Sequence, residues 1–120
     1  MTQPFQNLTV WQRAMELTIS IYDLTCSFSA EERYGLTSQL RRASVSIASN
    51  IAEGRGRLTD GEFRQFLGIA QGSTYEVQTQ LLLARQLKVG DERMLNQAEA
   101  LCIETSKILA ALIHSLGTKS

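Results

Sequence analysis

The sequence predicts an all-α fold, an antiparallel up-down-up-down four-helix bundle, on three observations. The first is that Pro4 is the one proline, so long helices meet no proline inside them. The second is a recurring capping box, in which a threonine or serine precedes a glutamine or glutamate by three residues. The third is that apolar residues repeat at helical spacing in four segments. A chain of 120 residues suits one core, and we expect residues 1–120 to form a single domain.

Helices 1 and 2 are predicted from the first two capping boxes. Thr9 with Gln12 begins helix 1, which should cover residues 10–25. The second box, Ser29 with Glu32, opens a short turn that is interrupted by a glycine. Helix 2 follows over residues 37–54 and ends in a glycine-rich segment, which is a common way for a helix to end.

Helices 3 and 4 are predicted from the third capping box and from one further break. Thr59 with Glu62 begins helix 3 over residues 60–88. A glycine then interrupts the pattern, and Asp91 can cap helix 4 over residues 92–116. Because the connections are short, neighbouring helices should be antiparallel.

Each predicted helix has an apolar stripe that should face the core. The stripes are Val10, Ala14, Leu17, Ile21 and Leu24; Leu36, Leu40, Ala43, Ile47 and Ile51; Phe63, Phe66, Ala70, Val77, Leu81 and Ala84; and Met94, Ala98, Leu101, Ile108, Leu112 and Leu116. Burial of these stripes against one another would make one shared core.

Composition excludes several functional classes. The 12 basic and 12 acidic residues cancel, so no positive field of the whole chain attracts nucleic acid. Cys26 and Cys102 have no CxxC pattern or histidine cluster, which predicts two buried thiols in a reducing compartment. The first residues do not resemble a secretion signal, and no stretch has about 18 consecutive apolar residues. We therefore expect a cytoplasmic protein with no membrane partner.

Several apolar residues lie outside the four stripes, which predicts a homo-oligomer. A second row on helix 1 and a row of mostly small residues on the far side of helix 2 are the expected oligomer interface: Trp11, Met15, Tyr22, Val45, Ala48 and Ala52. Ile19 and Ile103 also point away from the core. An alternative for the helix 1 row is that it only closes the edge of the core.

A polar seam is predicted where helices 2 and 3 meet. Helical winding at 100° per residue groups these polar positions on facing flanks: Gln39, Arg42, Ser46, Asn50, Glu53 and Arg57 on helix 2, and Ser73, Glu76 and Gln80 on helix 3. We expect Arg42 to be the shared counter-ion of Glu53 and Glu76, with Asn50 and Ser73 supplying hydrogen bonds. The alternative is a solvated face with incidental ion pairs.

No enzyme activity, catalytic residue, metal site or cofactor is predicted. A pair such as Glu53 and Glu76 has no nucleophile with a base nearby. The bundle di-iron site needs Glu-x-x-His motifs, and the only histidine, His114, follows Ala111 at that spacing. The GRGR segment at 54–57 lacks the spacing of a phosphate loop. Its arginines are nevertheless suited to phosphate contact.

Three segments of the sequence carry a family resemblance: LTVWQRAMEL, EERYGLTSQLRRASVSIASNIAEGRGR and EFRQFLGIAQGSTYEVQTQL. They resemble the four-helix-bundle family of proteins encoded in 23S rRNA intervening sequences. The resemblance covers nearly the whole chain from Phe5. It departs at Ala48, where the family often has proline. It implies a cytoplasmic bacterial homo-oligomer, commonly of five subunits, and relatedness to the accessory bundle protein of diversity-generating retroelements, which works with RNA and a reverse transcriptase. The implied polar positions are Arg42, Asn50, Glu53, Arg57, Ser73 and Glu76.

Two functional classes follow, and the sequence leaves both open. One is a binding module that associates with RNA or an RNA-processing protein, with the RNA contact at Arg41, Arg55 and Arg57. An oligomer could gather these arginines, together with Arg42, into a basic face although each subunit is neutral. The other class is a self-assembling scaffold or protein-interaction protein without nucleic acid.

Overall fold

The computed structural model describes residues 4–117, apart from the side chain of Arg33. Its helices are α1 (Thr9–Cys26), α2 (Ser38–Arg55), α3 (Asp60–Leu87) and α4 (Glu92–Gly117). Each helix packs against the next, and α4 packs back against α1. The bundle measures 47 × 20 × 19 Å, and 47 Å is close to the ~42 Å expected for the 28 residues of α3. The all-α four-helix bundle is therefore confirmed.

Two of the predicted caps are confirmed. The Thr59 hydroxyl accepts the Glu62 backbone N–H at 3.1 Å and donates to the Glu62 carboxylate at 3.1 Å. An Asp91 carboxylate oxygen accepts the Met94 N–H at 2.9 Å at the start of α4. These contacts satisfy backbone donors that have no partner inside the helix.

The other two capping boxes are wrong. Leu8 precedes α1 and makes no side-chain cap, while the Gln12 side chain donates to the Gln6 carbonyl at 2.9 Å. A 3-10 turn at Phe5–Asn7 leads directly into the helix, so Thr9 already lies inside it. At the second box, the Glu32 N–H donates to the backbone carbonyl of Ser29 instead of its hydroxyl.

Glycines shape two of the three connections between the helices. Between α1 and α2, a π-helical turn at Arg33–Thr37 bends at Gly35, whose φ of −107° and ψ of −112° are not helical. After α3, Lys88 has a φ of 58° and Gly90 a φ of 88°. A Cβ at Gly90 would stand 2.5 Å from a ring carbon of Phe28, so this turn requires a glycine for its conformation and its space.

The core confirms the stripes of α1 and α2 completely and that of α3 with one exception. Every stripe residue on α1 and α2 is buried. On α3, Phe66 is half-buried, and Leu67 is the fully buried residue in its place. These side chains form one continuous cluster that all four helices share.

The stripe predicted for α4 is wrong by one position along most of its length. The buried residues are Leu95, Ala98, Cys102, Thr105, Leu109 and Leu116. The predicted Met94 is exposed, while Leu101, Ile108 and Leu112 are half-buried at the edge of the core. Neighbouring apolar residues such as Met94 and Leu95 make two rows on this helix, and periodicity alone does not choose between them.

The two cysteines lie in different environments. Cys102 is buried, as predicted, and its thiol donates to the Thr74 carbonyl at 3.4 Å. Burial, together with the negative charge of Glu99, raises the pKa of the Cys102 thiol to about 12. Cys26 is exposed at the end of α1, so its predicted burial is wrong.

Candidate functional site

The polar seam forms where α2 and α3 pack together. Ser46 and Ser73 share a hydrogen bond of 2.9 Å between their hydroxyl oxygens. The Asn50 amide donates to the Ser46 carbonyl at 2.8 Å and to its hydroxyl at 3.0 Å. The flanks of the two helices therefore meet as predicted, but Asn50 and Ser73 form their hydrogen bonds with Ser46 and not with the charged residues of the seam.

One end of the seam is a buried amide. Gln80 is 5% exposed, and its Nε2 donates weakly to Oε1 of Gln39 at 3.4 Å. The Gln80 Oε1 accepts no hydrogen bond from any residue in 4–117. In two antiparallel helices, residues at the same level have residue numbers with a constant sum. Gln39 with Gln80 and Ser46 with Ser73 have the same sum, so both pairs define one register between α2 and α3.

The charged residues of the seam do not pair as predicted. Glu53 forms its ion pair at 3.2 Å with Arg57, which lies just beyond the end of α2. Arg42 and Glu76 are exposed, and neither side chain makes a hydrogen bond or ion pair with the described residues. Arg42 precedes Glu53 by 11 residues, which separates them by about 16 Å along the helix. Winding places both on one flank, but their heights differ too much for direct contact.

The three arginines proposed for RNA contact are held against aromatic rings. The Arg41 guanidinium lies 4.6 Å from the centre of the Tyr22 ring and donates to the Thr25 hydroxyl at 2.8 Å. Arg55 and Arg57 lie 5.5 Å and 4.6 Å from the ring centres of Phe63 and Phe66. All three arginines therefore contact neighbouring side chains of the bundle.

Close packing of α2 against α3 requires a glycine at residue 54. It is buried at the last turn of α2, and a Cβ there would stand 2.5 Å from Cβ of Phe66. The absent side chain lets α2 and α3 approach closely at this end of the bundle. A glycine inside a helical pattern is the sequence signal for such an approach. From the sequence alone, Gly54 is predicted only to end helix 2.

Three residues of the predicted oligomer interface are exposed. Met15, Tyr22 and Val45 lie between 38% and 43% exposed. Trp11 is half-buried against the core, and its ring contacts the Phe5 ring edge-on at 5.3 Å between centres. Its position agrees with the alternative that this residue closes the edge of the core.

The small residues on α2 are covered by the chain itself. Ala48 is buried and Ala52 is half-buried, so the expected open face at Ala48 is wrong. The Thr18 hydroxyl donates to the Ser44 carbonyl at 3.0 Å and sets the level of α1 against α2. In this antiparallel register Met15 is level with residues 47 and 48, so α1 occupies the space above Ala48.

Two grooves lie outside the seam. The larger, of about 420 Å³, is at the turn from α3 to α4 and includes Arg85, Lys88 and Glu92 in its lining. The smaller, of about 270 Å³, lies between α1 and α4 and is lined by Glu16, Ile19, Ser20, Asp23, Gln97 and Leu101. The sequence alone does not indicate the smaller groove, because its residues come from two helices that are distant in the sequence.

The metal-ligating residue types are dispersed. Within residues 4–117, no group of three histidine, cysteine, aspartate or glutamate side chains is arranged to hold a metal ion. His114 is exposed on α4 and lines neither groove.

The composition of α4 is unusually apolar for a helix of a small bundle. An 18-residue window of α4 has a mean hydropathy of 1.3, and only 22% of it is buried within the bundle. By length and composition alone such a helix could cross a membrane, but core helices pass the same test. Here the apolar excess follows from the second row of α4, which includes Leu101, Ile108 and Leu112.

Comparisons with known proteins agree with this architecture. The 23S rRNA-intervening sequence protein family matches residues 6–111. No curated protein matches the chain. The fold resembles the crystal structure of a protein of unknown function from the S23 ribosomal protein family of Bacteroides thetaiotaomicron, with a TM-score of 0.74 and 22% sequence identity over 88% of this chain and 98% of that one. The family match covers most of the sequence, so the chain belongs to the 23S rRNA-intervening sequence protein family.

Proposed function

We propose that the chain is a self-associating helical-bundle module of the bacterial cytoplasm that binds structured RNA and catalyses no reaction. The observation that carries the RNA contact is the end of the bundle where α2 turns into α3. There Arg55 and Arg57 flank Gly56, and their guanidinium groups lie over Phe63 and Phe66. A guanidinium that stacks through its face keeps N–H groups at its edge, which can donate to phosphate oxygens.

Arg41 is the third proposed contact and lies near the opposite end of α2. Its guanidinium rests on Tyr22, which is itself 41% exposed. An unpaired nucleobase can stack on an aromatic ring or on a guanidinium plane. Arg41 and Tyr22 therefore present a surface suited to a base in a loop or bulge of a folded RNA.

Self-association supplies what a single subunit lacks. The chain has a formal charge of zero, so one copy attracts RNA weakly at long range. Several copies that expose the same end would place their copies of Arg55 and Arg57 on one surface and so raise the number of phosphate contacts per RNA. Five copies are proposed from the family resemblance, as is a relationship to the RNA-associated bundle protein of diversity-generating retroelements.

The test is RNA affinity across a salt series. We expect the Arg55→Ala/Arg57→Ala variant to bind a structured ribosomal RNA hairpin more weakly, with a log–log salt dependence flatter by roughly one unit for each lost phosphate contact. The matched control is Arg93→Ala/Lys107→Ala, which also removes two exposed cations and should bind like the wild type. Absence of salt-dependent binding by the wild type at low ionic strength would contradict RNA association.

The second candidate is a self-assembling scaffold or protein-interaction protein without nucleic acid. Two observations favour it: the zero net charge, and the second apolar row of α4, which the bundle buries only in part. The same experiment separates the candidates. A wild-type oligomer that binds neither RNA nor duplex DNA of equal length at low salt would support the scaffold.

A further inference from the structure

The groove between α1 and α4 combines negative charge with exposed apolar surface. Glu16 and Asp23 are two of its acidic lining residues, and Ile19 between them is 59% exposed. Arg13 contacts Glu16 at 3.3 Å, but the side chain of Asp23 makes no hydrogen bond or ion pair within the described chain. The groove is therefore suited to a cationic side chain with an apolar stem.

The opposite side of the bundle presents such a side chain. Arg42 follows Gln39 by three residues and precedes Ser46 by four, and both of those residues contact α3. Arg42 therefore lies on the α2/α3 flank, away from α4. It is exposed and unpaired among residues 4–117, and the neighbouring Val45 is 43% exposed.

The two surfaces lie at the same level along the bundle. The Thr18 to Ser44 hydrogen bond joins a short side chain to a backbone carbonyl, so residues 18 and 44 of the antiparallel helices are level. Ser20 is two residues after Thr18 and Arg42 is two residues before Ser44, so in these antiparallel helices Ser20 is level with Arg42. Ser20 lies in the middle of the acidic groove. A copy displaced sideways without a shift along the bundle axis would thus bring Arg42 to the groove.

We propose that the Glu16/Asp23 groove of one copy receives Arg42 of a second copy, with Val45 packed near Ile19. This inference rests on the self-association in the proposed function and assigns the contact that produces it. The two surfaces are different and face away from each other, so the contact is head-to-tail and repeats around a ring or along a filament. A two-fold contact of the groove with itself would instead oppose Glu16 and Asp23 to their own copies, which like charges disfavour.

Charge reversal tests the contact. The variants are Arg42→Glu, Asp23→Arg and the double variant. Lys107→Glu is the control, because Lys107 is an exposed cation of α4 that does not line the groove. The preceding Ser106 accepts a hydrogen bond from Gln71 of α3 at its carbonyl. Molar mass is measured by light scattering across a dilution series at low salt, with circular dichroism to establish helicity. We expect each single reversal to raise the concentration needed for assembly at least about tenfold, the double variant to restore much of it, and the control to assemble like the wild type.

The outcomes separate this inference from the proposed function. A wild type that is monomeric throughout the series would overturn self-association and the contact together. A wild-type oligomer whose mass is unchanged by Arg42→Glu would overturn the contact alone and leave self-association in place. Folded single variants that fail to assemble, with no recovery in the double variant, would also overturn the direct pairing of Arg42 with this groove.

Discussion

Gly54 of α2 packs directly against Phe66 of α3 and leaves no space for a side chain at residue 54. A Cβ at residue 54 would stand 2.5 Å from Cβ of Phe66 and 3.2 Å from a ring carbon of Phe63. Both obstacles lie close to the α3 backbone, so a substituted side chain would have to push the helices apart. The same end of the bundle carries Arg55 and Arg57, whose stacking depends on the positions of these rings.

The first prediction is that Gly54→Ala destabilises the protein. Overpacking of a core costs about 1–3 kcal/mol, while replacing glycine by alanine in a helix contributes about 1 kcal/mol in the opposite direction. We expect a net loss of up to about 2 kcal/mol in the free energy of unfolding, measured by denaturant titration. Gly68→Ala is the matched control, since its Cβ would meet nothing within 4 Å, and it should stabilise by up to about 1 kcal/mol. Equal effects at the two glycines would contradict this account.

The second prediction concerns the end of α3. Lys88 is exposed and has a φ of 58°, in the left-handed region that costs a residue with a Cβ about 1–2 kcal/mol. Lys88→Gly removes that strain but adds freedom to the unfolded chain, so we expect a net stabilisation of about 0.5–1 kcal/mol. Gln86→Gly, two residues earlier in the helix, should instead destabilise by about 1 kcal/mol. Thermal unfolding of both variants gives the comparison, and a loss of stability in Lys88→Gly would refute the prediction.

The helices whose core-facing row the sequence predicts best are α1 and α2. All residues of the two predicted stripes are buried, although Thr25, Ser44, Ala48 and Gly54 are buried as well. On α4 the pairs Met94–Leu95, Leu101–Cys102 and Ile108–Leu109 place two apolar rows side by side. Only the packing of α4 against α1 and α3 decides which row is buried, and that information lies in other segments.

The seam shows a similar limit for the candidate site. Helical winding identified the flank of α2 that meets α3, because angle around an axis follows from residue number. It did not identify the partners, since Glu53 pairs with Arg57 and Arg42 stands alone among the described residues. Pairing also depends on height along the helix and on the register with the neighbour, which Ser46 and Ser73 define in the folded chain.

The third prediction is a pH dependence from Cys102. Burial raises its thiol pKa from 9.0 to about 12, so the unfolded chain loses this proton at lower pH than the folded protein. Stability from this group is therefore complete below pH 9 and falls between pH 9 and 12, by at most about 1.4 kcal/mol per pH unit. The measurement is the difference in free energy of unfolding between the wild type and Cys102→Ala at pH 7, 9 and 10.5. Parallel pH dependences in the two proteins would show that Cys102 ionises equally in both states.

Thiol labelling gives an independent check on the same residue. Cys26 is exposed and Cys102 is buried, so an aromatic disulfide reagent should modify one thiol rapidly in the folded protein and the second only on unfolding. Cys26→Ser removes the fast phase and isolates Cys102. Rapid labelling of Cys102 in that folded variant would contradict both its burial and its raised pKa.

The last prediction is that Glu53 couples energetically to Arg57 and not to Arg42. Glu53 and Arg57 are paired at 3.2 Å with side chains 57% and 43% exposed, so solvent screens the attraction, and a coupling of only about 0.3–0.5 kcal/mol is expected. Two double-mutant cycles measure this, one combining Glu53→Ala with Arg57→Ala and the other combining Glu53→Ala with Arg42→Ala. The subunits should be kept dilute, so that any role of Arg42 between copies does not enter the result.

Salt distinguishes this local pair from a rearranged seam. A screened surface pair should lose most of its coupling between 0.05 M and about 1 M salt, where the Debye length falls to roughly 3 Å. The cycle with Arg42 should give zero at both salt concentrations, because about 16 Å of helix separates its Cα from that of Glu53. A coupling of about 1 kcal/mol or more between Glu53 and Arg42 would mean that the charged residues of α2 pair through a different arrangement. It would also remove Arg42 as the unpaired cation available to a second copy.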